Sequence, residues 1–125
     1  MSAFADVLGA EELADGAMTE VEVGGEAILL ARAGDRYFAT QARCPHLRGR
    51  LTRGTLEGTV VTCPRHGSQF DVTDGSVIRW TDWSGVAQAA AEAFRHPRPL
   101  VTYEVRIEGG RVMVGAEQEP PAHTT

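Results

Sequence analysis

Cys44-Pro45-His46 and, after a sixteen-residue spacer, Cys63-Pro64-Arg65-His66 decide how this chain is read. Each stretch offers one thiol and one imidazole, and the chain has no other cysteine. Three chemistries use such a set. Zinc accepts both ligand types, but zinc modules usually pair Cys with Cys and His with His, whereas each half here is mixed. A disulfide between Cys44 and Cys63 is possible, and it leaves the matched histidines unexplained. A binuclear iron–sulfur centre with two thiolates on one iron and two imidazoles on the other uses both mixed clips as they stand. Such a core is formally neutral when oxidised and singly negative when reduced, so it accepts an electron more easily than an all-thiolate cluster. The proline after each cysteine fixes φ, removes an N–H donor and stiffens the loop.

Working outward, short apolar runs alternate with glycine turns. Strands are expected at Thr19–Val23, Ala27–Ala33, Tyr37–Thr40, Thr59–Thr62, Gln69–Val72, Val77–Trp80, Val101–Ile107 and Val112–Val114. Gly24-Gly25, Gly34-Asp35, Glu57-Gly58, Asp74-Gly75 and Gly109-Gly110 mark the turns between them, and the last pair is a strong hairpin signal. Many short strands at this spacing predict an all-β sandwich or small barrel. Ala10-Glu-Glu-Leu-Ala14 reads as a helical turn. One longer helix is expected within 82–94, where Asp82 or Ser84 caps an alanine-rich run and Trp83, Val86, Ala90 and Phe94 form an apolar stripe. His96-Pro97 ends it.

At 125 residues the chain is one domain with a modest core. No apolar run approaches the length of a membrane span, and the N-terminus carries no secretory pattern, so a cytoplasmic location is expected. The net charge of −5 argues against a nucleic-acid role. Its distribution is uneven. Residues 1–26 hold seven acids and no base, while residues 43–66 hold Arg43, Arg48, Arg50, Arg53 and Arg65 against one acid, Glu57. Dispersed, solvated arginines are one reading of that island. The other is a positive tip that steers an acidic partner and favours the reduced centre.

Cys44-Pro-His-Leu47, followed by Cys63-Pro-Arg-His-Gly-Ser-Gln-Phe-Asp71 and Asp74-Gly75, resembles the Rieske-type [2Fe–2S] ferredoxin family, the small electron carriers of bacterial ring-hydroxylating dioxygenases. Leu13-Ala-Asp-Gly16, Arg36-Tyr-Phe-Ala39 and Pro99-Leu…Tyr103-Glu-Val105 extend the likeness from about residue 4 to 115. The resemblance implies an all-β Rieske-like sandwich or partly open barrel over 1–115. A small cluster-binding subdomain would occupy about 43–75, and residues 116–125 would form a flexible tail. It also implies one [2Fe–2S] cluster held by Cys44, His46, Cys63 and His66, with the two histidines at the exit port for the electron. Pro45 and Pro64 would shape the cluster loops.

The family pattern has a short, proline-containing crossover before the last hairpin. Here it is enlarged by the helical insertion at about 82–96, with Pro97 and Pro99 left to serve as the proline loop. The insertion is either plain packing or a docking element presenting Trp83 and Phe94. His96 and His123 are expected at the surface. High-potential relatives carry a serine two residues after the second ligand histidine, a tyrosine four residues after it, and two further cysteines. This chain has Ser68 and Phe70 at the first two positions, and Gly49 and Arg65 at the cysteine positions. The resemblance therefore implies the lower part of the Rieske span of about −150 to +300 mV.

The chain contains no Gly-x-Gly-x-x-Gly fingerprint and no Walker A sequence. A soluble, monomeric one-electron carrier between a ferredoxin reductase and a terminal oxygenase is expected, not an enzyme in its own right. Two alternatives remain at this point: a small subunit of a reductase such as nitrite reductase, and a zinc-stabilised interaction module.

Overall fold

A computed structural model describes residues 4–45, 49–64, 67–79 and 98–119. Ten strands run through these residues: β1 (Ala5–Gly9), β2 (Met18–Val23), β3 (Glu26–Ala33), β4 (Arg36–Gln41), β5 (Thr55–Glu57), β6 (Val60–Thr62), β7 (Gln69–Asp71), β8 (Val77–Arg79), β9 (Thr102–Glu108) and β10 (Arg111–Glu117). Two 3₁₀ turns, Ala10–Glu12 and Leu51–Arg53, complete the regular structure. The strands form two antiparallel sheets. The larger has the order β1-β10-β9-β4-β3-β2, and β1 approaches β2 so that it nearly closes into a barrel. The smaller has the order β5-β6-β7-β8.

Two tight hairpins set the register of the large sheet. Val23 pairs with Glu26 and Glu108 with Arg111, leaving two-residue loops. Gly24 and Gly25 have φ of 58° and 85°, and Gly109 and Gly110 have φ of 56° and 76°. Positive φ at both central residues is the I′ geometry that matches strand twist.

The near-continuous apolar run in β3 follows from its place between two cores. Ile28 and Leu30 pack with Leu13, Val112 and Val114 inside the large sheet, whereas Leu29 and Ala31 pack with Leu51, Val61 and Phe70 under the small sheet. Successive side chains of a strand point to opposite faces, so burial on both sides requires apolar residues at every position. Full burial of each large one is worth about 1.5–3 kcal/mol. Opposite β3 in the barrel wall, Arg111 of β10 pairs with Asp6 of β1 at 2.9 Å.

Several expectations shift. The sequence reading omitted β1 and β5. Thr59 and Val72 lie just outside β6 and β7, and Val101 precedes β9. β10 runs on through Ala116 and Glu117, and the Gln118 N–H donates to the Thr102 carbonyl at 2.8 Å. Residues 116–118, placed in the expected tail, instead extend the ladder with β9. Ala10–Glu12 does form a helical turn. Trp80, the helix expected at 82–94 and the wider insertion to 96 lie outside the described residues.

Candidate metal centre

Cys44 follows β4 and Cys63 follows β6, so each sheet contributes one thiol. Neither forms a disulfide, and they are only 1% and 3% exposed. They belong to one apolar cluster with Leu51, Val61, Phe70, Val72 and Leu100. The disulfide reading is thereby set aside.

The two loops close in the same way. The Cys44 N–H donates to the Gly49 carbonyl, and the Cys63 N–H donates to the Ser68 carbonyl, both at 2.8 Å. Each cysteine thus sits at the neck of a loop whose amide bond reaches five residues ahead. The spacings Cys-x-His and Cys-x-x-His differ, yet the loops that carry them are the same size. The first is continued by an antiparallel bridge between Arg43 and Arg50 and by a bond from the Leu51 N–H to the Ala42 carbonyl. The second is tightened by Gly67 N–H donating to the Cys63 carbonyl at 3.2 Å.

The necks are locked together by close backbone contact. Gly54 lies against the Thr62 carbonyl and the Pro64 ring, in space that a Cβ would need. Its φ is −89°, so glycine is required here by crowding and not by handedness. Gly75 has φ of 82° and lies against the Leu100 carbonyl, while its own carbonyl accepts from the Leu100 N–H at 2.8 Å. That contact fastens the turn after β7 to the segment leading into β9.

Phe70, at the position where high-potential relatives have tyrosine, is wholly buried in the core beneath the two cysteines. Ser68 is also fully buried, and its carbonyl closes the second loop. Pro45 is half-buried and Pro64 exposed. The arginine island divides on inspection. Arg50 is ion-paired with Glu20 of β2 at 3.0 Å, so its charge is compensated by the acidic N-terminal region rather than offered freely at a tip. Arg53 is exposed at the end of its 3₁₀ turn. His46, Arg48, Arg65, His66, Trp83, Phe94, His96, Pro97 and His123 lie outside the described residues.

Three side chains around the loops escaped the sequence reading. Gln41 donates through Nε2 to the Arg43 carbonyl at 2.7 Å and accepts through Oε1 from the Val101 N–H at 2.7 Å. Arg98 donates to the Pro45 carbonyl at 3.1 Å, and Arg79 donates to the Gly67 carbonyl at 3.0 Å. A cavity of about 410 Å³ opens beside the first loop, between Gln41, Arg43 and Pro45 on one side and Arg98 and Pro99 on the other. Nothing in the local sequence distinguishes these groups from ordinary surface residues; only the return of the chain past the loops gives them a role.

The donor set fits a mixed-ligand iron–sulfur centre. Two cysteines outside any disulfide share one apolar cluster, and each loop carries one histidine in its sequence. A neutral oxidised core costs less to place against Leu51, Val61 and Phe70 than a doubly negative one would.

Comparison with known proteins agrees. The family model of the Rieske [2Fe-2S] domain matches residues 3–90. The ferredoxin component of biphenyl 2,3-dioxygenase from Rhodococcus jostii is 34% identical over 115 residues, covering 92% of this chain and 94% of that protein. Ferredoxin CarAc of Metapseudomonas resinovorans is 31% identical over 114 residues, covering 90% and 94% respectively. Among solved structures, a chain from the complex of reduced oxygenase and oxidised ferredoxin in carbazole 1,9a-dioxygenase superposes with a TM-score of 0.73 at 29% identity, over 94% of this chain and 97% of that one. The chain belongs to the Rieske [2Fe–2S] domain family, whose cofactor is one Rieske-type cluster.

Proposed function

We propose that this protein is a one-electron carrier of a multicomponent oxygenase system, with Cys44 and Cys63 ligating one iron and His46 and His66 the other. The observation that carries the assignment is the matched pair of loops. Two buried cysteines, not joined in a disulfide, stand at equivalent necks, each followed in the sequence of its loop by one histidine. When bound, the cluster takes up and gives back a single electron. The chain does the rest. Cys44 and Cys63 enter from the buried side, and the apolar cluster under them excludes water from the thiolates. Prolines, glycine contacts and amide bonds hold both necks rigid, which keeps reorganisation small as charge changes.

The relatives are ferredoxin components of dioxygenase systems, and one similar chain was solved bound to its oxygenase. By extension, the partners here are a ferredoxin reductase as donor and a terminal oxygenase as acceptor. The protein is then a component of an enzyme system and not itself the catalyst. No helix among the described residues is long and apolar enough to cross a membrane, and we place the carrier in the cytoplasm. We take the domain to extend through Gln118, with the loops of about 43–75 as its cluster-binding part. Docking would use the loop tip, with Arg48, Arg53 and Arg65 around it, and the insertion carrying Trp83 and Phe94.

Reconstitution tests the reading. Holoprotein added to a candidate reductase and oxygenase should be required for coupled product formation. Turnover that is unchanged when this chain is omitted would overturn it for that pair.

A further inference from the structure

Arg79 closes β8 and Arg98 opens the segment that leads back into β9. Their guanidinium groups go to opposite loops. Arg79 Nε reaches the Gly67 carbonyl in the second loop, and Arg98 Nη2 reaches the Pro45 carbonyl in the first. Each accepting carbonyl lies inside a loop closed at its cysteine neck, and Pro45 directly follows Cys44. Neither arginine has an acidic partner among the described residues. Arg50, by contrast, is neutralised by Glu20. Among the described residues, Arg79 and Arg98 thus bring positive charge to the two loops from the two ends of the crossover, in addition to the island that the linear sequence suggests.

We propose that Arg79 and Arg98 are positioning and potential-setting clamps, each fixing one cluster-bearing loop by a backbone carbonyl and holding a positive charge beside it that favours the reduced centre. The inference rests on the ligand assignment above. A guanidinium suits both tasks, because its planar fork bonds a carbonyl directionally while its charge stays fixed. Reduction adds one negative charge, so a nearby positive charge stabilises the reduced form more than the oxidised form. Both side chains are exposed, and solvent screening limits the effect to about two- to fourfold in the one-electron equilibrium per arginine at low salt. At about 59 mV per tenfold, that corresponds to roughly 18–36 mV.

The test compares Arg79→Gln, Arg98→Gln, the double variant and Arg98→Lys as holoproteins. Redox titration at low and high ionic strength is read alongside the EPR signal of the reduced cluster, which verifies that the centre is present. Loss of that signal from the Cys63→Ser protein bears on the ligand assignment, whereas a shifted midpoint in a protein with intact signal bears on the clamps. Each Gln variant should lower the midpoint. The two shifts should nearly add, shrink with salt, and be largely reversed in Arg98→Lys. Unchanged midpoints in both Gln variants, or Arg98→Lys as low as Arg98→Gln, would overturn the electrostatic role. Amide exchange in the apoprotein provides an arm that needs no cluster. Arg98→Gln should speed exchange at Cys44 and Arg79→Gln at Cys63, and unaltered protection at both would overturn the clamping role.

Discussion

The two sheets of this protein are stabilised in different ways. The large sheet uses strands of five to eight residues, joined by I′ hairpins and filled on both faces of β3. The small sheet uses four strands of three residues each, and its interior includes the two cysteines. Three-residue strands make few ladder bonds, and short hairpins are marginal without a packed face. The large sheet therefore resembles a self-sufficient domain. The small sheet depends on contacts outside itself: the core under β3, the crowded glycines at its margins and, on the ligand assignment proposed above, a metal centre held between the two loops.

The most severe disruption should fall on the small sheet alone. Cys63→Ser removes one of the two thiolates proposed as ligands, and we expect complete loss of the iron centre. Amide exchange in β5–β8 should rise far more than in β2–β4, because a ligand-bound centre stabilises only the elements that close on it. Equal loosening of both sheets would show that they unfold as one unit.

Next come the glycines, which separate crowding from turn geometry. Gly75→Ala places a methyl group against the Leu100 carbonyl at a positive φ and should cost about 2–4 kcal/mol, read by denaturant unfolding. Gly25→Ala also meets a positive φ, but in open space, and should cost about 1–2 kcal/mol. A reversed order would mean that the join between the small sheet and the segment before β9 is loose.

A smaller change probes the buried side of the centre. Phe70→Tyr puts a hydroxyl among the residues that pack with both cysteines. A hydrogen bond to sulfur worth about 1 kcal/mol in favour of the reduced state would raise the midpoint by about 40 mV in a redox titration. A lower stability with an unchanged midpoint would place the hydroxyl away from sulfur.

The smallest effect belongs to the large sheet. Burial first, then the Glu26 and Glu117 carboxylates, push the Tyr103 phenol above its ordinary value of 10.0. The unfolded chain then releases this proton first, so ionisation favours unfolding. The contribution is fully present below pH 10 and fades as pH rises through the raised folded value. Tyr103→Phe should remove that part of the alkaline loss in thermal melts, and identical alkaline slopes would contradict it.

Much of this was legible in the linear sequence, and the failures have physical reasons. The mixed Cys/His clips, the two glycine-glycine turns and the apolar run of β3 are local signals. β1 was missed because its evidence is a partner, β10, at the far end of the chain. β5 was missed because three residues, Thr55-Leu56-Glu57, carry no periodicity of their own, and only pairing with β6 makes them a strand. The charge map misled at Arg50 because its partner Glu20 is distant in sequence and adjacent in space. Arg79, Arg98 and Gln41 were invisible for the same reason.

Metal analysis of anaerobically purified protein, with EPR after reduction, tests the central claim most directly. Two irons and two acid-labile sulfides per chain are expected, with the low average g value of a mixed histidine–thiolate [2Fe–2S] centre. Zinc in place of iron, with no sulfide, would contradict it.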